Sequence, residues 1–449
     1  MKALQKSSFA LLAMGLAAGT ILTGCGGNDN AGTAGNAGTA GNASAANADV
    51  KKEKVQLDFW TFWGSTTRRP IIEKIISDFN ASQDKIFVKH TYLPFGDIWT
   101  KELAQVAAGN PPDVIVNDIS TVAQRASKNQ NTNLKDLIGS EDIQSRFFPE
   151  LWKTALYNNE PYALPFVTDT RVMFYNKKMF QEAGLDPNKP PATWEELEAD
   201  AKKLDKIGGD GKIERLGYEP TIAGGWDLFL ANSDGQALVD ESGAHINTPS
   251  KIEALSWVKS WADRLGKKNL DAFKAGFGSK QNDPFIAGKL GIKIDAATFW
   301  TQIRDFAANK DDVGIAPLPE FKPGTGHNSV GGGFVVEIPK GAKHPKESYE
   351  FMKYLTDVAA QKYWGQMNFD NVANVQASND PELQADPVYK AAVDNLQFTK
   401  VATVPVNAPD FRNLINPEVD AVLLGKEEPK EALDKAQKAV ENLMAMNAK

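Results

Sequence analysis

Strands alternating with amphipathic helices predict an α/β fold with doubly wound parallel sheets. Three observations lead there. Val55–Trp60 (VQLDFW) alternates apolar and polar residues as a half-buried strand does. Residues 69–80 (RPIIEKIISDFN) place Ile71, Ile72, Ile75, Ile76 and Phe79 on one helical face, with Pro70 in the first turn. After Asn110-Pro111-Pro112, Asp113–Val116 (DVIV) is a short apolar run of the kind buried inside a parallel sheet. Residues 85–93 supply a second strand and 97–108 a second amphipathic helix. The resulting βαβαβ order is that of a doubly wound domain. A length of 449 residues exceeds what one core ordinarily serves, so two or three domains are expected.

A second set of elements follows. Val172–Tyr175 is strand-like, and Lys178–Ala183 is a helix closed by Gly184. Thr193-Trp194-Glu195-Glu196 is a capping box that opens a helix running to Asp205. Residues 252–265 form another helix. Trp257 and Trp261 lie one turn apart on its buried stripe, which assigns them to core packing. Residues 345–356 and 431–446 read as late helices with charged outer faces.

The N-terminus carries a sharp signal. Lys2 and Lys6 precede an apolar stretch, Phe9–Ile21, of the length of a secretory h-region and too short for a membrane span. It ends in Leu22-Thr23-Gly24-Cys25, which resembles the bacterial lipobox. Residues 1–24 are therefore expected to be a leader, with Cys25 carrying lipid that holds the protein to the cell membrane. Cys25 is the sole cysteine, so no internal disulfide can form. Residues 25–50, rich in Gly, Ala and Asn, cannot bury enough apolar surface to order themselves and read as a tether.

Composition and motifs exclude more than they assign. A net charge of −7 argues against nucleic acid as a partner. There is no P-loop, no G-x-S-x-G and no H-E-x-x-H. The four histidines, His90, His245, His327 and His344, lack metal-ligand spacing. Asp210-Gly211 reads as a tight turn, because Ile207 and Gly209 stand where a calcium loop needs oxygen ligands. No cofactor and no metal are expected, and nothing positive points to catalysis.

Several blocks, taken in order, carry a family resemblance. Gly109–Val114 (GNPPDV), Tyr162–Pro165 leading to Phe174–Lys177, and Ala183-Gly184-Leu185 followed by Pro190-Pro191 and Thr193–Leu197 are three of them. Phe285–Lys289 leading to Trp300, and Pro317-Leu318-Pro319 followed by Gly331–Gly333, complete the set. Together they resemble the extracellular solute-binding proteins of sugar ABC importers, the group that includes maltose-binding protein. The resemblance implies a type II periplasmic-binding-protein-like fold, with two doubly wound α/β lobes and a ligand cleft between them. Chain crossings are then expected near residues 166–170, 294–296 and 331–334. One lobe is expected to comprise 51–166 and 296–331, the other 167–295 and 332–449. The implied function is capture of a small molecule, a mono- or oligosaccharide, by a monomer that delivers it to an ABC permease through cleft closure.

A sugar presents C–H faces and a hydroxyl rim, so its site needs flat rings together with carboxylates, amides or arginines. Trp63 stands in the loop after the first strand. Asn117 and Asp118 end the strand DVIV, where rim hydrogen bonding and a helix N-cap both account for an acid. Asp169 and Arg171 fall in the first crossing, where the family places polar ligand contacts and where a mutual ion pair is the alternative. The resemblance puts stacking aromatics at Trp226 and, just past the crossing at Asp295, at Trp300. It also brings Phe411 and Arg412 to the cleft. Gly332, within Gly331–Gly333, offers bare backbone N–H groups or a hinge. Trp364 is left between core and cleft. Two rivals stand beside sugar capture: an exported carbohydrate-active enzyme, and a binding protein for a phosphodiester, a peptide or an anionic sugar. The anionic alternative draws on Arg68, Arg69, Arg171, Arg304 and Arg412.

Overall fold

The structure, a computed structural model, describes residues 53–448. The leader, Cys25 and the tether lie outside the described residues. In chain order, β1 (Val55–Thr61), α1 (Arg68–Ser82), β2 (Ile86–Tyr92), α2 (Asp97–Ala107), β3 (Val114–Asp118), α3 (Val122–Ser127) and β4 (Leu164–Thr168) build the first lobe. The second lobe begins with β5 (Arg171–Asn176), α4 (Trp194–Leu204), α5 (Trp226–Asp234) and α6 (Pro249–Leu265). It continues through β6 (Ile292–Ala296), α7 (Trp300–Phe306), β7 (Val313–Ala316) and β8 (Ser329–Gly331). The chain then returns to the first lobe as β9 (Gly333–Glu337), α8 (Pro345–Leu355), α9 (Val358–Asn368) and β10 (Asn371–Val372). After α10 (Pro387–Asn395) and β11 (Thr399–Val401), it ends in the second lobe with α11 (Arg412–Leu423) and α12 (Pro429–Asn447).

The first lobe rests on a six-stranded sheet in the order β10-β4-β9-β3-β1-β2. β1 runs parallel to β2 and β3, as the βαβαβ pattern predicts, whereas β9 is antiparallel to β3 and β4. Helix α1 covers this sheet with the five residues its periodicity singles out, all buried: Ile71, Ile72, Ile75, Ile76 and Phe79. At about 2 kcal/mol apiece that stripe contributes roughly 10 kcal/mol of gross apolar stabilisation. The second lobe has a three-stranded sheet with β5 between β6 and β7, all antiparallel. Half of its capping box forms: the Glu196 amide donates to Thr193 Oγ1 at 3.2 Å, while Glu196 Oε2 accepts at 2.7 Å from the amide of Ala192, one residue before the cap. Trp261 is buried in that lobe's core, and the half-buried Trp257 packs against it and against Trp194. At Asp210-Gly211 the expected tight turn forms, with Gly211 at φ +78° and Asp210 Oδ1 accepting from the Lys212 amide.

The expected lobe boundaries need correction. Residues 296–331 do not join the first lobe, because β7 pairs with β5 and β6 ends beside Arg171 on the same sheet. Nor does 332–449 lie wholly in the second: β9 inserts between β3 and β4, and α8, α9 and β10 follow it into the first lobe's core. Residues 294–296 are accordingly the end of a second-lobe strand and not a crossing. Crossings do occur at 168–171 and 331–333, and a third leads back through α10 and β11.

Candidate ligand-binding cleft

The crossings are packed backbone to backbone. The Gly332 amide donates to Asp169 Oδ1 at 2.9 Å, and the Asp169 amide donates to the Gly332 carbonyl at 3.2 Å. A Cβ on Gly331 would stand 2.1 Å from the Asp169 carbonyl oxygen. One on Gly333, at φ +153°, would stand 2.2 Å from the Val167 oxygen. Glycine at both positions is thus required by close approach. The third crossing is tied in by hydroxyls: Asn395 Nδ2 donates to Thr170 Oγ1 at 2.6 Å, and Thr170 and Thr399 share a hydrogen bond of 2.5 Å. β8 and β11 pair in parallel across the seam.

A cavity of about 290 Å³ opens between the lobes at this seam. Asp118 and Ser120 reach it from the first lobe; Arg171, Asp227, Lys400, Phe411 and Arg412 reach it from the second lobe and the returning chain. Gly332 lines it with backbone. Five of the residues singled out from the sequence therefore meet there: Asp118, Arg171, Gly332, Phe411 and Arg412. Asp169 acts through Arg171, whose guanidinium it holds at 2.8 Å while also accepting from Gly332. Arg412 pairs with Asp227 at 2.9 Å. Asp118 combines both of its readings, lining the cavity while Oδ1 caps the short turn after β3 by accepting from the Ser120 amide and hydroxyl. Phe411 lines the cavity although it is buried.

Two of the proposed contacts are corrected. Trp63 is 1% exposed, its ring packed on Trp364 at 4.4 Å and on Phe166 at 5.1 Å, so it belongs to the first lobe's core. Trp364 is core as well, with Nε1 donating to Asp370. Asn117 is also buried, and its Nδ2 donates to Glu102 and Glu337, each at 3.2 Å. Beneath it Arg125 grips Glu337 with bonds of 2.9 and 2.6 Å and donates to the Asp118 carbonyl. Of the two carboxylates Arg125 bonds Glu337 alone, while Glu102 accepts only from Asn117 and keeps Oε1 buried without a partner. Burial, and then the charge of Glu337, push the Glu102 carboxyl up to about 7.

Trp226, Asp295 and Trp300 do not line the cavity. Trp226 opens α5 after Gly225, half-buried and one residue from Asp227. Asp295 pairs with Lys293 at 3.3 Å. Trp300 packs partly on the second lobe's core and partly on the cluster of Phe369, Leu383 and Tyr389. Sequence reasoning overlooked Asp227 and Lys400, and it overlooked a shelf of rings on the first lobe. There Phe62 meets Phe334 at 4.7 Å, Phe95 at 5.1 Å and Trp99 at 6.1 Å. Period-two alternation could have revealed Phe62: Leu57, Phe59, Thr61 and Trp63 are all buried, which turns Phe62 the other way.

Among the described residues no group of His, Cys, Asp and Glu is placed to hold a metal, and no helix is long and apolar enough to cross a membrane. Two α/β lobes joined by three crossings around a polar cavity define a two-lobed binding protein with the type II periplasmic fold. The chain belongs to the bacterial extracellular solute-binding protein family, whose profile matches residues 63–362. Among solved structures, CpMnBP1 with mannobiose bound is similar at a TM-score of 0.76 and 28% identity, covering 87% of this chain and 100% of that one. Maltose-bound MalE3 of T. maritima shares the fold at a TM-score of 0.70 and 21% identity, covering 87% of this chain and all of that one. Among relatives, the sn-glycerol-3-phosphate-binding periplasmic protein UgpB of Yersinia pseudotuberculosis is 25% identical over 400 residues, 82% of this chain and 87% of its own.

Proposed function

We propose that this protein captures a carbohydrate between its lobes and delivers it to an ABC-type permease without transforming it. The carrying observation is the inter-lobe cavity, where rim groups from both lobes converge on a space of sugar size. Asp118, Arg171, Asp227 and Arg412 supply hydrogen-bonding groups for hydroxyls. Because Arg171 and Arg412 already face Asp169 and Asp227, the rim is nearly charge-balanced and suits a neutral guest. A guest touching both lobes at once favours the closed arrangement, and the crossings absorb the rotation. Similarity to a mannobiose-bound structure supports this reading. The monomer would act outside the cytoplasm, held to the membrane by lipid on Cys25, with no cofactor of its own.

A second reading, capture of a polyol phosphate, draws on the exposed Lys400, whose ammonium has no carboxylate within salt-bridge distance among the described residues, and on the resemblance to a glycerol-3-phosphate binder. A thermal-shift screen with mannobiose, maltose and sn-glycerol 3-phosphate separates the two. Stabilisation by a sugar, without products, is expected. A shift from the phosphate alone would select the second reading, and turnover of a glycan would select an enzyme.

A further inference from the structure

The cavity at the crossings is small. At about 290 Å³ it lies at the low end of small-molecule sites and offers room for one sugar ring. Beside it stands the aromatic shelf. Phe334 is the cross-strand partner of Asp118, which lines the cavity, so this pair joins the shelf to the cavity wall. From Phe334 the rings run to Phe62 and on to Phe95 and Trp99, the last two 5.0 Å apart. Phe95 is 64% exposed, an unusual position for a phenyl group that serves only packing.

Its loop is nevertheless fixed. The Leu93 amide donates to the Thr61 carbonyl at 3.0 Å and the Ile98 amide to the Pro94 carbonyl at 3.1 Å. Gly96 makes the turn at φ +86°. A ring held out on a rigid turn, continuous with other rings and with no cation among them, is suited to the C–H face of an uncharged sugar. Trp99 keeps its indole N–H on the Val116 carbonyl at 3.3 Å, which fixes the ring within the shelf.

We propose that Phe95, with Phe62, Trp99 and Phe334 behind it, is a second saccharide subsite that takes the next ring of a neutral oligosaccharide whose first ring occupies the cavity. This rests on the carbohydrate reading above. It makes the preferred guest at least a disaccharide, and it makes Phe95 a determinant of length.

Titration calorimetry on the purified protein tests it with mannose, mannobiose and mannotriose, and with glucose, maltose and maltotriose. Wild type is compared with Phe95→Ala and Phe95→Trp. In the series that binds, Phe95→Ala should raise the Kd of the di- and trisaccharide about tenfold and leave the monosaccharide unchanged. Phe95→Trp should restore the longer sugars. An unchanged melting temperature for both variants, expected of so exposed a side chain, would show that folding is intact. Equal affinities of wild type and Phe95→Ala at every length would overturn the subsite while leaving sugar capture standing. Loss of transport in cells with unaltered sugar binding would assign Phe95 to a protein partner and overturn it too. No binding of any sugar by wild type would overturn the carbohydrate reading and the subsite together.

Discussion

The two walls of the cleft are made of different material. The first lobe brings Asp118 and Ser120 to the cavity, carries the aromatic shelf beside them through Phe334, the strand partner of Asp118, and seals Arg125, Glu337 and Glu102 below Asn117. The second lobe shows pre-formed ion pairs, Arg412 with Asp227 and Arg171 with Asp169, at the surface itself. Rings need no partner to stay in place and can wait for a guest uncovered. Charged rim groups left unpaired in a semi-enclosed cleft are costly, so they hold one another. On the proposed reading the labour divides unevenly: the shelf's rings are all on the first lobe, and most of the charged rim groups are on the second.

Three substitutions break or sharpen that contrast. The largest effect is expected from Trp63→Ala, since Trp63 belongs to the core and not to the cleft. Removing it should cost about 3–5 kcal/mol of stability. Chemical denaturation would read this as a lowered midpoint, and a loss of sugar affinity with unaltered stability would restore Trp63 to the wall.

Next comes the sealed charge cluster. The Glu102 carboxyl titrates near 7 when folded against a usual 4.5, so the folded state holds its proton more tightly than the unfolded chain does. Stability from this group is therefore greatest at low pH, falls between about 4.5 and 7, and stays level above that, a change of about 3 kcal/mol. Glu102→Gln keeps the neutral shape, and its melting temperature should gain on wild type as pH rises from 5 to 8. Parallel curves for the two proteins would mean the carboxylate is ionised throughout. The smallest effect belongs to Arg412→Ala. The Arg412–Asp227 pair is substantially exposed on both sides, so global stability should move by less than about 1 kcal/mol. Sugar affinity should drop severalfold, because Asp227 loses the partner that orients it. Calorimetry that finds affinity untouched would remove the second lobe's ion pairs from the site.

Local pattern made most of the elements legible. The stripe of α1, the capping box of α4 and the apolar run of β3 each follow from side chains within one turn or one strand. Lobe membership was not legible in the same way. β9 pairs with β3 and β4, far back in the chain, and nothing within Gly333–Glu337 distinguishes that sheet from the other. The site divided likewise. Strand-end acids and crossing residues such as Asp118 and Arg171 follow from position. Trp63 and Phe62 are neighbours with opposite fates, settled by a strand periodicity that continues past the end of β1. Phe95, in a loop with no periodicity, becomes visible only when its ring is seen beside Phe62 and Trp99.

The most direct test of lobes closing over a guest is small-angle scattering with and without saturating mannobiose or maltose, whichever binds. Closure should give the loaded protein a smaller radius of gyration at unchanged mass. Identical scattering curves for the empty and saturated protein would contradict it.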